Sequence, residues 1–311
     1  MRISCVQDQL SRGLAIVGRA VGSRTTMPIL GNVLMTTDGE RLRLVATNLE
    51  LGITTWVPAR VLEEGRATVP ARLLSEFVNS LPAGRDVSID GGERGAPLRL
   101  ECERIGANVK GVDPEEFPPV ATGDDRPAVR IPAREFRSMI DQVAFCAARD
   151  ESRPVLSGVN VRMEGTVLSL AAADGFRLAI RTAELDHGLP EALDVIIPAR
   201  ALTELGRLLG GDDDEVEVSV TGNRTQVLFR VRTAGGETVL VSRLLDGQFP
   251  DLARVVPKTA STEVTVARTD LVTAIKVASI FARDSANVVR LELTPGSSDG
   301  LQPGNMEVSA T

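Results

Sequence analysis

The sequence predicts an α+β protein of repeated units, each carrying two helices packed on antiparallel sheets, with a third unit left incomplete. Three observations predict it. Blocks of sequence recur in the same order at near-constant offsets, and apolar residues at helical spacing open and divide each unit. Short β-branched runs joined by turn pairs fill the intervals.

The repeat comes first because it fixes the rest. TMPILGNVLM (26–35) matches RPVLSGVNVR (153–162), and LRLVATNLELGI (42–53) matches LSLAAADGFRLA (168–179). One offset of 126 sets Pro28 on Pro154, Leu30 on Leu156, Leu44 on Leu170 and Asn48 on Asp174. Further on, VPARLL (69–74) meets IPARAL (197–202), and Phe117-Pro118 meets Phe249-Pro250. A third copy begins near residue 262, where VTVARTDLVTAIKVASIFARD (264–284) tracks VRIPAREFRSMIDQVAFCAARD (129–150). Its VVRLEL and MEVSAT correspond to strands of the second copy. By the length of the others this unit is roughly 60–70 residues short of complete.

Within the first unit, Leu10, Leu14, Val17 and Val21 form one apolar helical stripe. Leu73, Leu74, Phe77, Val78 and Leu81 form another. In the second unit the equivalents are Phe136, Ile140 and Val143, then Leu202, Leu205 and Leu209. Between them, runs such as VEVSV (216–220) and QVLFRV (226–231) read as strands, with turns at Asp38-Gly39, Gly235-Gly236 and Asp246-Gly247. Pro/Asp/Gly-containing stretches near 118–128 and 250–262 read as linkers. The expected domains are therefore 1–125, 126–258 and 259–311, the last being the N-terminal half of its unit.

Composition excludes more than it assigns. No run approaches the roughly 20 apolar residues of a membrane span, and the N-terminus lacks the layout of a signal peptide. A cytoplasmic location without membrane partners is expected. Cys5, Cys102 and Cys146 are odd in number and set in apolar contexts, as small buried side chains in a reducing compartment. The single histidine, His187, lies in a turn-like LDHGLP segment, so neither a histidine-based metal site nor a catalytic triad can be assembled. No C-x-x-C, Walker A or strand-to-helix G-x-G-x-x-G is present. No catalytic residue, metal or cofactor is expected. The acidic pairs and runs Asp124-Asp125 and Asp212-Asp213-Asp214-Glu215 read as solvated turns, with weak cation binding as the alternative.

The net charge of −7 argues on average against nucleic acid, but its distribution reverses the sign locally. The helical windows 6–24, 70–84, 132–150, 198–210 and 267–284 carry +4 together, and the remainder carries −11. Helices lining one surface would make it mildly basic, suited to phosphate contact without sequence reading. Ordinary amphipathic helices of mixed charge are the other reading.

The ordered series TMPILGNVLM, VATNLELGI, VPARLL, AADGFRLAI, IPARAL and LLDGQFPDLARVVP resembles the bacterial β sliding clamp, the DNA polymerase III beta subunit, from residue 1 to 311. The resemblance implies a DNA-clamp fold and a processivity factor rather than an enzyme. It implies a ring-shaped homodimer that encircles double-stranded DNA and slides on it. Its partners would be the replicative DNA polymerase, the clamp loader and other proteins carrying a clamp-binding motif. The alternative is a clamp-like peptide-binding protein that cannot close around DNA, because half a domain is missing.

By the same resemblance, a hydrophobic peptide-binding cleft is expected from Leu156, Gly175, Phe176, Arg177 and Leu178, with Pro250, Arg254 and Val255. Phe176 stands where some members have histidine, and Ala173 where a hydroxyl residue is familiar, which shifts the cleft toward the apolar. The family's C-terminal segment, which completes the cleft, has no counterpart here. Arg24, Arg72, Arg149 and Arg200 are the expected phosphate contacts. Phe77 and Leu81 of one subunit are expected, exposed, against Ile280 and Phe281 of another.

Overall fold

A computed structural model describes residues 1–22, 27–91, 97–123, 129–150, 153–189, 192–210, 214–233, 236–283, 286–296 and 303–310. The first repeat runs β1 (Arg2–Val6), α1 (Gln7–Val17), β2 (Asn32–Asp38), β3 (Arg41–Thr47), β4 (Leu51–Pro58), β5 (Arg60–Glu63) and β6 (Arg66–Pro70). It continues through α2 (Ala71–Ser80) to β7 (Asp86–Asp90), β8 (Leu98–Cys102) and β9 (Ile105–Val109). The second repeat follows the same order. It comprises β10 (Val129–Pro132), α3 (Ala133–Val143), β11 (Gly158–Glu164), β12 (Val167–Ala173), β13 (Leu178–Glu184) and β14 (Leu193–Pro198), then α4 (Ala199–Leu208), β15 (Glu215–Val220), β16 (Gln226–Thr233) and β17 (Gly236–Arg243). Among the described residues only β5 lacks a counterpart.

Proline sets three strand-to-helix passages. Pro70, Pro132 and Pro198 each end a strand, and α2, α3 and α4 begin at the next residue. Proline has no N–H for the ladder, so the strand stops there, and its ring fixes φ near the helical value for the residue that caps the helix. The apolar stripes then turn inward, except that Leu73 of α2 is 50% exposed. Leu10, Leu14 and Val17 of α1, Leu74 and Val78 of α2, Phe136, Ile140 and Val143 of α3, and Leu202 and Leu205 of α4 are all buried. Phe136 meets Phe229 of β16 with ring centroids 6.1 Å apart, inside the second repeat's core.

Three sheets back these helices: β5-β1-β7-β8-β9, β13-β12-β11-β14, and an eight-stranded sheet ordered β10-β15-β16-β17-β4-β3-β2-β6. The last crosses from one repeat to the next. β4 pairs antiparallel with β17, from Thr55 opposite Thr238 to Leu51 opposite Ser242. At that seam the Thr55 and Thr238 hydroxyls lie 2.9 Å apart, and Thr55 Oγ1 also donates to the Glu237 carbonyl. Val120 and Ala121 of the connecting segment pack on Trp56, Leu228, Val239 and Val241. The Arg230 guanidinium donates to the Thr122 carbonyl at 2.8 Å. Arg19, just after α1, pairs with the largely buried Glu204 of α4 at 3.2 Å. The first two repeats thus form one compact unit, Met1–Phe249.

The second unit, Pro250–Thr311, contains α5 (Leu252–Val255), α6 (Arg268–Ala282) and the antiparallel pair β18 (Arg290–Thr294) and β19 (Asn305–Ser309). Ala278 and Ala282 of α6 are buried, whereas Val277, Ile280 and Phe281 are 55%, 59% and 66% exposed. Apolar side chains left this open mark a surface suited to another apolar surface.

Candidate partner-binding wall

The turn between β12 and β13 is fixed from within. The Asp174 Oδ1 accepts the main-chain N–H groups of Phe176 and Arg177, both at 3.0 Å, and its Oδ2 accepts the Arg177 Nε–H at 2.9 Å. Gly175 takes φ +92°, which a side chain would oppose. The two N–H groups of Phe176 and Arg177 hold the Asp174 carboxyl below the usual aspartate range, outweighing the opposing effect of burial, and the Arg177 side chain adds to them. The result is a rigid turn that presents Phe176 fully to solvent, at 101% exposure.

Leu178 follows as the first, half-buried residue of β13. Leu156 is half-buried in the short 3-10 turn Pro154–Ser157. That turn is anchored because the Ala148 N–H donates to the Leu156 carbonyl at 2.8 Å. Arg177 in turn lies over the ring of Phe145, 5.6 Å from its centroid. Gly175, Phe176, Arg177 and Leu178 are thus consecutive on one turn, with Phe145 beside it through Arg177, and Leu156 sits on the separate short turn that Ala148 anchors. Sequence reading missed Phe145, although the signal was there: it falls off the Phe136, Ile140, Val143 stripe, so helical spacing puts it away from the core.

In the second unit Pro250, Arg254 and Val255 are exposed, and Arg254 of α5 pairs at 3.0 Å with Asp251, the residue just before that helix.

Of the four arginines expected to meet phosphate, Arg24 lies outside the described residues. Arg72 projects from α2, 91% exposed, with Glu76 accepting from its Nε at 2.8 Å. Arg149 and Arg200 share with Arg243 the lining of an open depression of about 970 Å³, beside Phe145, Pro154, Glu50 and Asp246. Arg243 gave no signal in the sequence, since it only ends a strand.

One expectation is corrected. Leu81 is not an exposed interface residue: it is 6% exposed, its N–H closing α2 on the Val78 carbonyl and its side chain joining the core of Leu74 and Val78. Leu81 follows α2 in extended conformation and continues its buried side. Phe77 is half-buried and packs against the same core.

Among the described residues no group of three or more His, Cys, Asp or Glu side chains is placed to hold a metal. His187 is exposed, and Asp124, Asp125, Asp212 and Asp213 lie outside the described residues. No described helix is long and apolar enough to cross a membrane.

Two helices on antiparallel sheets, repeated and joined edge to edge, define a protein of the DNA-clamp class. Residues 1–121 match the model of the DNA polymerase III beta subunit N-terminal domain, and residues 130–251 that of its central domain. The beta sliding clamp of a Synechocystis species is 35% identical, covering 96% of this chain and 80% of its own length. That of Bacillus subtilis is 30% identical, covering 99% and 82%. The crystal structure of the Bacillus subtilis DNA polymerase sliding clamp superposes with a TM-score of 0.88 at 28% identity, over 100% of this chain and 83% of that one. The DNA polymerase III subunit beta from Pseudomonas aeruginosa gives 0.85 at 27% identity, over 100% and 85%.

The chain belongs to the bacterial β sliding clamp family, the beta subunit of DNA polymerase III. It is accordingly a DNA-replication processivity factor, an accessory protein rather than an enzyme.

Proposed function

We propose that this chain acts in the cytoplasm as a topological tether, a head-to-tail homodimer that encircles duplex DNA. It slides without reading sequence and docks the replicative polymerase, the clamp loader and other proteins through short apolar peptides. Leu156, Gly175, Phe176, Arg177 and Leu178 form the docking wall, and Pro250, Arg254 and Val255 are assigned to the same recognition. Arg72, Arg149 and Arg200 give transient phosphate contact. Phe77, Ile280 and Phe281 are the apolar candidates for contact between copies.

The observation that carries the docking role is Phe176 itself. A fully exposed phenylalanine on a turn immobilised by Asp174 offers apolar area with little ordering cost on binding. Apolar anchors beside a few polar groups are the usual form of a peptide site. Replacing Leu178 and Pro250 together and titrating a labelled apolar clamp-binding peptide tests the assignment. Binding should be abolished, and unchanged affinity rejects the site.

A further inference from the structure

Guanidinium groups on the sheets of this protein are mostly paired. Arg2, Arg41, Arg66, Arg99, Arg130, Arg162, Arg230 and Arg232 each meet a carboxylate. The depression beside the docking wall breaks this pattern. Arg149, Arg200 and Arg243 all line it, and among the described residues none has an ion-pair partner, although Glu50 and Asp246 line it too. Three cations gathered on a concave surface repel one another, a cost that an anion placed among them relieves. The depression also takes in the start of α4, at Ala199 and Arg200. The capping residue there, Pro198, offers no side-chain acceptor, and the first turn holds no acidic residue. The helix end therefore adds to the positive potential.

Two observations join this depression to the wall. Phe145 lines it and carries Arg177 on its ring, and Pro154 lines it from the same 3-10 turn that holds Leu156. Phe145 therefore borders both the turn of Arg177 and the depression. We infer that the depression of Arg149, Arg200 and Arg243 receives an acidic segment flanking the apolar anchor of a docked partner peptide. This rests on the docking wall proposed above.

The mixed lining favours carboxylates over a nucleic-acid strand. Glu50 and Asp246 leave the site with a net charge of only +1, so a continuous run of phosphates would meet two carboxylates, whereas two or three spaced acidic side chains can reach the guanidiniums and avoid them. A docked acidic segment would also compete with the phosphate contact proposed for Arg149 and Arg200. Partners would then be ranked by charge beside the anchor as well as by the anchor itself.

The test uses the full chain and one fluorescent apolar anchor peptide, plain or extended at either end by three acidic residues. One extension should tighten binding about tenfold at low salt, with the gain shrinking as salt rises. The variant Arg149→Gln/Arg200→Gln/Arg243→Gln, all at exposed positions, should lose that gain and keep its affinity for the plain peptide. No gain in the native chain from either extension, or an undiminished gain in the variant, overturns the inference while leaving the wall intact. Failure of the plain peptide to bind overturns the wall itself, and this inference with it. A single-stranded oligonucleotide bound by the native chain and not by the variant, with no gain from the acidic extension, overturns it in favour of a nucleic-acid site.

Discussion

Asn48 and Asp174 hold the same turn one repeat apart. The Asn48 Oδ1 accepts the N–H groups of Glu50 and Leu51 at 3.1 and 2.8 Å, as the Asp174 Oδ1 accepts those of Phe176 and Arg177. The intervening residues, Leu49 and Gly175, both take positive φ, 77° and 92°. What differs is the surroundings. The first turn is locked into the seam, where the Arg243 N–H donates to the Glu50 carbonyl. In the second, Phe176 stands at the position of Glu50, open to solvent. One local device therefore serves a joint between repeats in one copy and, in the other, the turn that carries the proposed docking site.

Asp174→Asn should keep the turn, as Asn48 shows, and release Arg177 from its ion pair, whereas Asp174→Ala should loosen the whole turn. The sign of the pH dependence follows from the lowered pKa. The charge-dependent stabilisation is present above the unfolded aspartate value and is lost as pH falls through the folded one. Carbon-detected NMR titration of the Asp174 carboxyl should give a midpoint below the ordinary aspartate range. A midpoint at or above it contradicts the geometry.

Phe176→Ala separates binding from folding. A fully exposed ring contributes little to stability, so the melting midpoint should move by no more than about 0.5 kcal/mol equivalent. Affinity for the apolar peptide should fall about tenfold or more. A large loss of stability would place the ring in the fold rather than at a site.

Phe136→Ala should do the reverse. The ring is buried against Phe229, and its removal should cost about 3–5 kcal/mol in denaturant unfolding. A cost under about 1 kcal/mol would mean that the core is not organised as described.

Cys5 sits in β1 with its thiol pushed up to about 12, first by burial and then by the nearby Asp86 carboxylate. Thiolate is the reactive form, so alkylation at pH 8 should be negligible in the native chain and rapid in denaturant. Fast labelling of Cys5 under native conditions would contradict its burial.

The helices were legible because core-facing residues leave a period, as Leu10, Leu14 and Val17 do. The repeats were legible because the same turns and strand starts need the same residue types, such as the Asn48 and Asp174 acceptors. The seam between β4 and β17 was not. Main-chain pairing leaves no periodic mark, and the buried Thr55 and Thr238 look like surface residues until their hydroxyls are seen to satisfy each other. Leu81 shows the opposite limit: its spacing set it with Leu74 and Val78 on the buried side, although it lies just past the helix, and only the interface role drawn from resemblance put it outside. The arginine depression was illegible because Arg149, Arg200 and Arg243 are far apart in sequence and are gathered only by the fold.

A ring closed on DNA is held by topology, and retention on DNA reports that link. Labelled protein is loaded by a clamp loader onto nicked circular DNA, which is then left circular or cut once with a restriction enzyme before gel filtration. A closed ring should stay with circles and run off linear ends. Equal retention on both, or none on either, would contradict a ring closed around the duplex.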